Sequence, residues 1–253
     1  LLISDAVMLS NAAVEGKLDT RADATRHQGD FRKIVEGVNE TLDSVIGPLN
    51  VAAEYVDRIS KGDIPPKITD TYNGDFNEIK NNLNQCIDAV ELLISDAVML
   101  SNAAVEGKLD TRADATRHLG DFRKIVEGVN ETLDSVIGPL NVAAEYVDRI
   151  SKGDIPPKIT DTYNGDFNEI KNNLNQCIDA VELLISDAVM LSNAAVEGKL
   201  DTRADATRHQ GDFRKIVEGV NDTLDSVIGP LNVAAEYVDR ISKGDIPPKI
   251  TDT

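Results

Sequence analysis

Tryptophan is absent from the 253 residues, and aromatic residues of all kinds make up 4%. So few large rings exclude a broad globular core organised around aromatic packing. Cysteine is nearly absent too: Cys86 and Cys177 are equivalent positions of a repeat, 91 residues apart. Two such thiols exclude a disulfide framework and, without His or Cys at ligand spacing, a zinc centre; they point to a reducing compartment. Positive charge is scarce, with 26 Lys and Arg against 44 Asp and Glu and a net charge of −18. Nucleic acid is thereby excluded as a partner, because phosphate binding needs clustered Lys and Arg, and anionic membrane surfaces are unattractive for the same reason. No apolar run approaches the roughly 18 residues of a membrane span, so no direct membrane contact is expected, and no signal peptide is visible. A cytoplasmic segment is the expectation. There is no Gly-rich phosphate loop, no nucleophile beside a base and no metal constellation. Accordingly no catalytic residue, cofactor or metal is expected, and the chain reads as a non-enzymatic segment of a longer protein.

What is present is repetition. Leu1, Leu92 and Leu183 each begin the same 91-residue unit, the third running for 71 residues. Gln28 and Gln210 stand where the second unit has Leu119, and Asp222 stands where the others have Glu40 and Glu131. Units that abut in this way form arrays in which each piece contacts its neighbours. Inside each unit lies a weaker repeat of about half the length. "GDFRKIVEGVN" from Gly29 matches "GDFNEIKNNLN" from Gly74 at Gly, Asp, Phe, an apolar residue and Asn. Each half reads helix, Gly, link, Gly-Asp-Phe, helix.

The apolar positions Phe31, Ile34, Val38, Leu42, Val45, Leu49, Ala52, Val56 and Ile59 advance in steps of three and four, with one extra four. From Phe76 the steps are the same, through Ile79, Leu83, Ile87, Val90, Ile94, Ala97, Ser101 and Ala104. This pattern describes a narrow coiled-coil seam carrying a single stutter. Ser101 would be a polar layer on it, or the helix would rotate to bring Leu100 inward. Each seam continues from one half-repeat into the next, so the second helix of one module becomes the first of the following. Pro48, at a cost of about 3 kcal/mol in a helix interior, predicts a local kink or short break.

The link after Gly62 is long. Residues 63–73, fully extended, reach about 36 Å, and the helix from Pro48 to Lys61 is about 20 Å. The link can therefore climb back along the helix and start the next one in parallel. Ile64 and Ile68 would pin it into the groove, with Leu18 and Ala22 in those places in the other half. Gly62 and Gly16 suit left-handed helix caps, and hinges are the rival reading. Asp75 and Asp30 open the following helices, where a carboxylate favours the positive end of the dipole. His27, His118 and His209 read as polar link residues, because no acidic residue directly follows them as a phosphoacceptor reading would suggest. Two parallel helices with one seam each do not close a core, so a parallel homodimer is predicted. An antiparallel spectrin-like scaffold is disfavoured by the length of the links.

"IGPLNVAAEYVDRISKGDI" (residues 46–64) resembles the first helix and turn of HAMP domains, and "NGDFNEIKNNLNQ" resembles their second helix. The other half resembles a Pro-less, divergent HAMP. Many family members open the second helix with Asp-Glu-x-Gly; here Gly74, Asp75, Phe76 and Asn77 stand there, so the Glu is shortened to Asp75. The resemblance implies an all-α, elongated, homodimeric chain of parallel four-helix coiled-coil modules joined by continuous helices. The modules would be residues 1–46, 47–91, 92–137, 138–182 and 183–228, with 229–253 opening another. It further implies a relay between sensor and output domains of the same longer chain, and the wording is most similar to chemoreceptor arrays. A histidine kinase relay and a passive spacer rod are the alternatives. Gly16, Leu18, Ala22, Asp30, Phe31, Pro48, Gly62, Ile64, Ile68, Asp75 and Phe76 are the residues expected to carry structure and signalling.

Overall fold

The computed structural model describes residues 1–250. Among them the regular elements are helical: α1 (Leu2–Val14), α2 (Asp30–Ser60), α3 (Gly74–Val105), α4 (Gly120–Ser151), α5 (Gly165–Val196) and α6 (Gly211–Ser242). Three short 3-10 turns, Ala24–Arg26, Ala115–Arg117 and Ala206–Arg208, lie in alternate links. The chain forms two compact units, Leu1–Asp134 and Ser135–Thr253.

In the first unit, the helix ends follow from glycine. Gly62 has φ 79°, and the backbone N–H of Asp63 reaches back to the carbonyl of Arg58 at 3.0 Å while Gly62 binds Ile59 at 2.9 Å. Gly16, at φ 72°, closes α1 in the same way, with Lys17 bonded to Ala12 at 2.8 Å. This is the Schellman pattern, and it satisfies carbonyls that a helix end otherwise leaves open. Arg58 also turns across the cap to donate to Asp63 at 2.7 Å, a different partner from the Glu54 that helix spacing suggests. Asp57 and Lys61 do form the expected i,i+4 pair at 2.7 Å.

The link then runs backwards along the next helix. Lys67 pairs with Asp88, the backbone of Ile68 meets Asn84, and Lys80 donates to the carbonyl of Asp70. Each step forward in the link is a step down α3. At the bottom, Pro48, Val51 and Ala52 of α2 share a small void with Ile68 and Tyr72 of the link and Phe76, Ile79 and Leu83 of α3. The start of the second half of α2 thus lies beside the start of α3, and the two run parallel. In the second unit, Pro139, Val142 and Ala143 meet Phe167, Ile170 and Leu174 in the same manner. Antiparallel packing of consecutive helices is ruled out for these pairs.

Of the kink or short break expected at Pro48, the break does not occur: α2 is continuous from Asp30 to Ser60. The ring is half-buried in the apolar void with Ile68 and Phe76, and this packing offsets the lost backbone hydrogen bond at that turn. Within one chain the covered residues lie beside the seam drawn on sequence. Val35 and Ile46 are buried, whereas Ile34, Val38 and Val45 remain 50%, 42% and 41% exposed. The apolar stripe is therefore wider than a narrow seam: one edge is covered within the chain and the other lies open. Further along α3, Leu93, Asp96, Leu100 and Ala103 are half-buried or buried, while Ile94, Ala97, Ser101 and Ala104 are exposed. As on α2, the edge beside the drawn seam is the one covered within the chain, and Leu100 lies on it while Ser101 lies on the open edge.

Glycine substitutions should separate these roles. Gly62→Ala forces a side chain into the left-handed region and should cost about 1–2 kcal/mol. Gly37→Ala, within α2 where nothing obstructs a methyl group, should stabilise by about 0.5–1 kcal/mol. Denaturant titration of the two variants checks the opposite signs.

Candidate functional site: the helix–link clamps

The links are fixed by side chains of the helices that follow them. Asn84 of α3 lies against Ile68: its Oδ1 accepts the backbone N–H at 2.8 Å and its Nδ2 donates to the carbonyl at 3.0 Å. Asn39 of α2 holds Ala22 in the same two-sided way, at 3.2 and 2.8 Å. The arrangement recurs as Asn130 with Ala113, Asn175 with Ile159 and Asn221 with Ala204. An extended link has no helical or sheet partner for its amides, and the carboxamide supplies one donor and one acceptor at the place where the link is buried. Asn39 and Asn84 are the last matching residues of the two half-repeats, so the signal was present in the sequence, but its chemistry appears only in the fold.

Around each clamp the two kinds of link differ. In the link of residues 63–73, Pro65 and Ile68 are buried, Ile64 is half-buried and Tyr72 packs near Val51. The expected anchor pair is thus shifted: Ile68 holds as read, and Pro65 takes the deeper place expected of Ile64. In the link of residues 17–28, Ala22 is buried but Leu18 is 42% exposed, so Leu18 does not pin the groove. Instead Arg21 reaches across to Asp43 of α2, at 2.9 and 2.7 Å, while donating to two link carbonyls.

This second kind of link also contains a buried aspartate–histidine pair. The Nε2 of His27 and the Oδ2 of Asp5 on α1 are 2.6 Å apart, and both residues are buried. Asp96 with His118 and Asp187 with His209 repeat the contact at 2.7 Å. The imidazole is placed by the 3-10 turn that precedes it. Asp23 caps that turn, accepting from the backbone N–H and hydroxyl of Thr25 at 3.0 and 2.6 Å. Those two Thr25 bonds, helped by the Arg26 and His27 charges, hold the exposed Asp23 carboxyl below the usual carboxylate range. The histidines are therefore not loose polar link residues. The aspartates escaped sequence reading because they fall beside the drawn seam, on the edge of the helix that the link covers.

Of the remaining expected residues, Asp30 and Asp75 lie exposed in first turns of their helices, and neither helix has a side-chain cap bond at its N-cap. Phe76 is half-buried over the link, and Phe31 is 60% exposed. Among the described residues no group of acidic, histidine or cysteine side chains could hold a metal ion, and no helix is long and apolar enough to cross a membrane.

Parallel helices joined by a back-running, side-chain-clamped link, repeated in tandem, define a class of modular parallel-helix segments. Three segments of the chain, residues 26–92, 117–183 and 208–253, match the model of the HAMP domain. Together these segments cover more than half of the residues, and the chain belongs to the HAMP domain family as a tandem array. HAMP domains are signal-relay modules of chemoreceptors and histidine kinases. No solved structure matches the chain. Residues 93–116 and 184–207, between the matched segments, hold the buried Asp96 and Asp187 and the arginine ends, Arg112 and Arg203, of two of the three Arg–Asp link bridges.

The clamp makes a direct prediction. Asn84→Ala leaves a partly buried N–H and C=O without partners and should cost about 1–3 kcal/mol. Amide hydrogen exchange at Ile68 should speed up by a factor of ten or more, on the order of the lost clamp energy, while Ile159, held by Asn175 in the second unit, stays protected.

Proposed function

We propose that this chain is the relay segment of a chemotaxis transducer, carrying a conformational change from a sensor to an output domain as a parallel homodimer in the cytoplasm. The observation that carries the reading is helix sharing. α2 packs through its first half on the link after α1 and through its second half beside α3, without interruption. A displacement of one helix pair is then also a displacement of the next, because no joint intervenes to absorb it. On this reading the modules divide at residues 46, 91, 137, 182 and 228, inside the shared helices.

The homodimer rests on the open edge of the stripe. Ile34, Val38, Val45, Leu49 and Val56 form a continuous apolar edge on α2, all 41–56% exposed. Such a line on a two-helix layer is the face that a four-helix bundle buries. The sensor and output domains belong to the longer chain on this reading, and the chemotaxis assignment rests on resemblance in wording. A passive spacer is the second reading, favoured by the near-identity of the units, since a rod needs only length.

Two experiments test this. Lysine at Val38 and Val45, with the equivalent Val129, Val136, Val220 and Val227, places charge in the proposed seam and should weaken self-association by roughly a hundredfold or more; sedimentation analysis reads the mass. In the full-length protein, deletion of residues 41–44 removes the stutter, and deletion of one 91-residue unit shortens the array. A relay should lose or invert its response to stimulus in at least one of these, whereas unchanged regulation in both would leave only the spacer.

A further inference from the structure

The two kinds of link differ in length by one residue between their glycines: Gly16 to Gly29 against Gly62 to Gly74. The extra residue is taken up by the 3-10 turn Ala24–Arg26, which occurs in the histidine links and in neither of the others. Counting back from the helix-opening glycine, His27 falls where Tyr72 does. Counting back from the helix-closing glycine, Asp5 falls where Val51 does. Val51 and Tyr72 line one apolar void. The same contact between first helix and link is thus made by an apolar pair in one kind of module and by a buried Asp–His pair in the other.

We propose that the Asp5–His27, Asp96–His118 and Asp187–His209 pairs are proton-dependent latches, so that alternate links of the array loosen as the imidazoles lose their charge while the apolar links between them do not respond. A buried carboxylate is costly unless it is paired. With the ring protonated, Asp5 meets a full positive charge at 2.6 Å. With the ring neutral, Nε2–H can still donate, but the nearest remaining charge is Arg26, 3.7 Å away and half exposed. In the third copy Arg208 is 3.9 Å from Asp187. The protonated pair is the tighter state, and the latch opens towards higher pH as the ring loses its charge.

The other charges around the ring support that assignment. Beside His209, α5 presents Asp187 and, on the wall of an adjoining cavity of about 310 Å³, Asp179. The link presents Arg208 on the same wall and Asp205, the turn cap. From α6 the wall residue is Phe213. The nearby charges of α6 are engaged elsewhere: Asp212 with Lys215, Arg214 with Glu218 and Asp225 with Arg203. Asp205, like Asp23, is held below the ordinary carboxylate range, chiefly by its Thr207 hydrogen bonds. A depressed carboxyl contributes its stability above its ordinary value and loses it only as pH falls through the depressed one, so the caps stay charged across the imidazole range. This latch goes beyond the relay reading and holds equally for an array that only spaces.

The test is hydrogen exchange on the whole 253-residue chain from about pH 5.5 to about pH 8, corrected for intrinsic exchange rates. Protection of residues 17–28, 108–119 and 199–210 should fall on the order of tenfold relative to residues 63–73 and 154–164, which serve as internal references. Replacing each latch with the apolar pair of the other link (D5V/H27Y, D96V/H118Y and D187V/H209Y) should abolish that difference. An equal pH response in both kinds of link overturns the proposal even if the substituted chain does not fold. Survival of the difference in a folded substituted chain overturns it as well.

Discussion

A link that lies back along the helix it introduces needs something to bond its amides, and that requirement governs the rest of this structure. A segment that crosses from the end of one helix to the start of a parallel neighbour is extended, largely unpaired and pressed against apolar side chains. Left alone, it would leave buried backbone groups unsatisfied. The asparagine directly after an early apolar seam residue of each following helix, Asn39 after Val38 and Asn84 after Leu83, resolves this with one carboxamide. Once the link is fixed, the direction of the next helix is fixed with it, and so is the face that the pair turns outwards.

The parallel arrangement leaves a defined remainder. Each helix buries the edge of its apolar stripe that the link covers and leaves the other edge open. Val35 and Ile46 lie under cover, and Val38 and Val45 do not. A single chain has no further element to lay over that open edge within a helix pair. Helix sharing then carries the same open edge from one pair into the next along α2. The physical basis of relay is here: a rigid element belongs to two packing layers at once, and either layer can bias it.

Much of this was legible in the residues. Gly16 and Gly62 marked helix ends because only a left-handed residue closes them with those hydrogen bonds. The length of residues 63–73 together with Ile68 pointed to a parallel crossing. The repeated Gly-Asp-Phe marked where helices restart. What was not legible was the edge that the link covers. Patterns of three and four fix a stripe but do not say which of its edges the link lies on, and the link covers the edge that holds Asp96, Leu100 and Ala103 while Ser101 stays on the open one. Pro48 misled for a related reason: its local cost was visible in the sequence, and the packing that offsets it was not. Leu18 was assigned by analogy to Ile64 and lies exposed, whereas Ala22, in the register of Ile68, is buried, and the Arg21–Asp43 bridge adds a hold that the link register did not show.

The central claim is the direction of consecutive helices, and distance measurement between spin labels tests it most directly. With Cys86 and Cys177 replaced, labels at Ser60 and Glu91 report the parallel neighbour, and labels at Ser60 and Glu78 report the alternative; dilution with unlabelled chain keeps the distances within one molecule. The parallel arrangement predicts the shorter distance for Ser60–Glu91, with Ser60–Glu78 longer because Glu78 lies about 20 Å further down the helix axis. The reverse order would contradict the account.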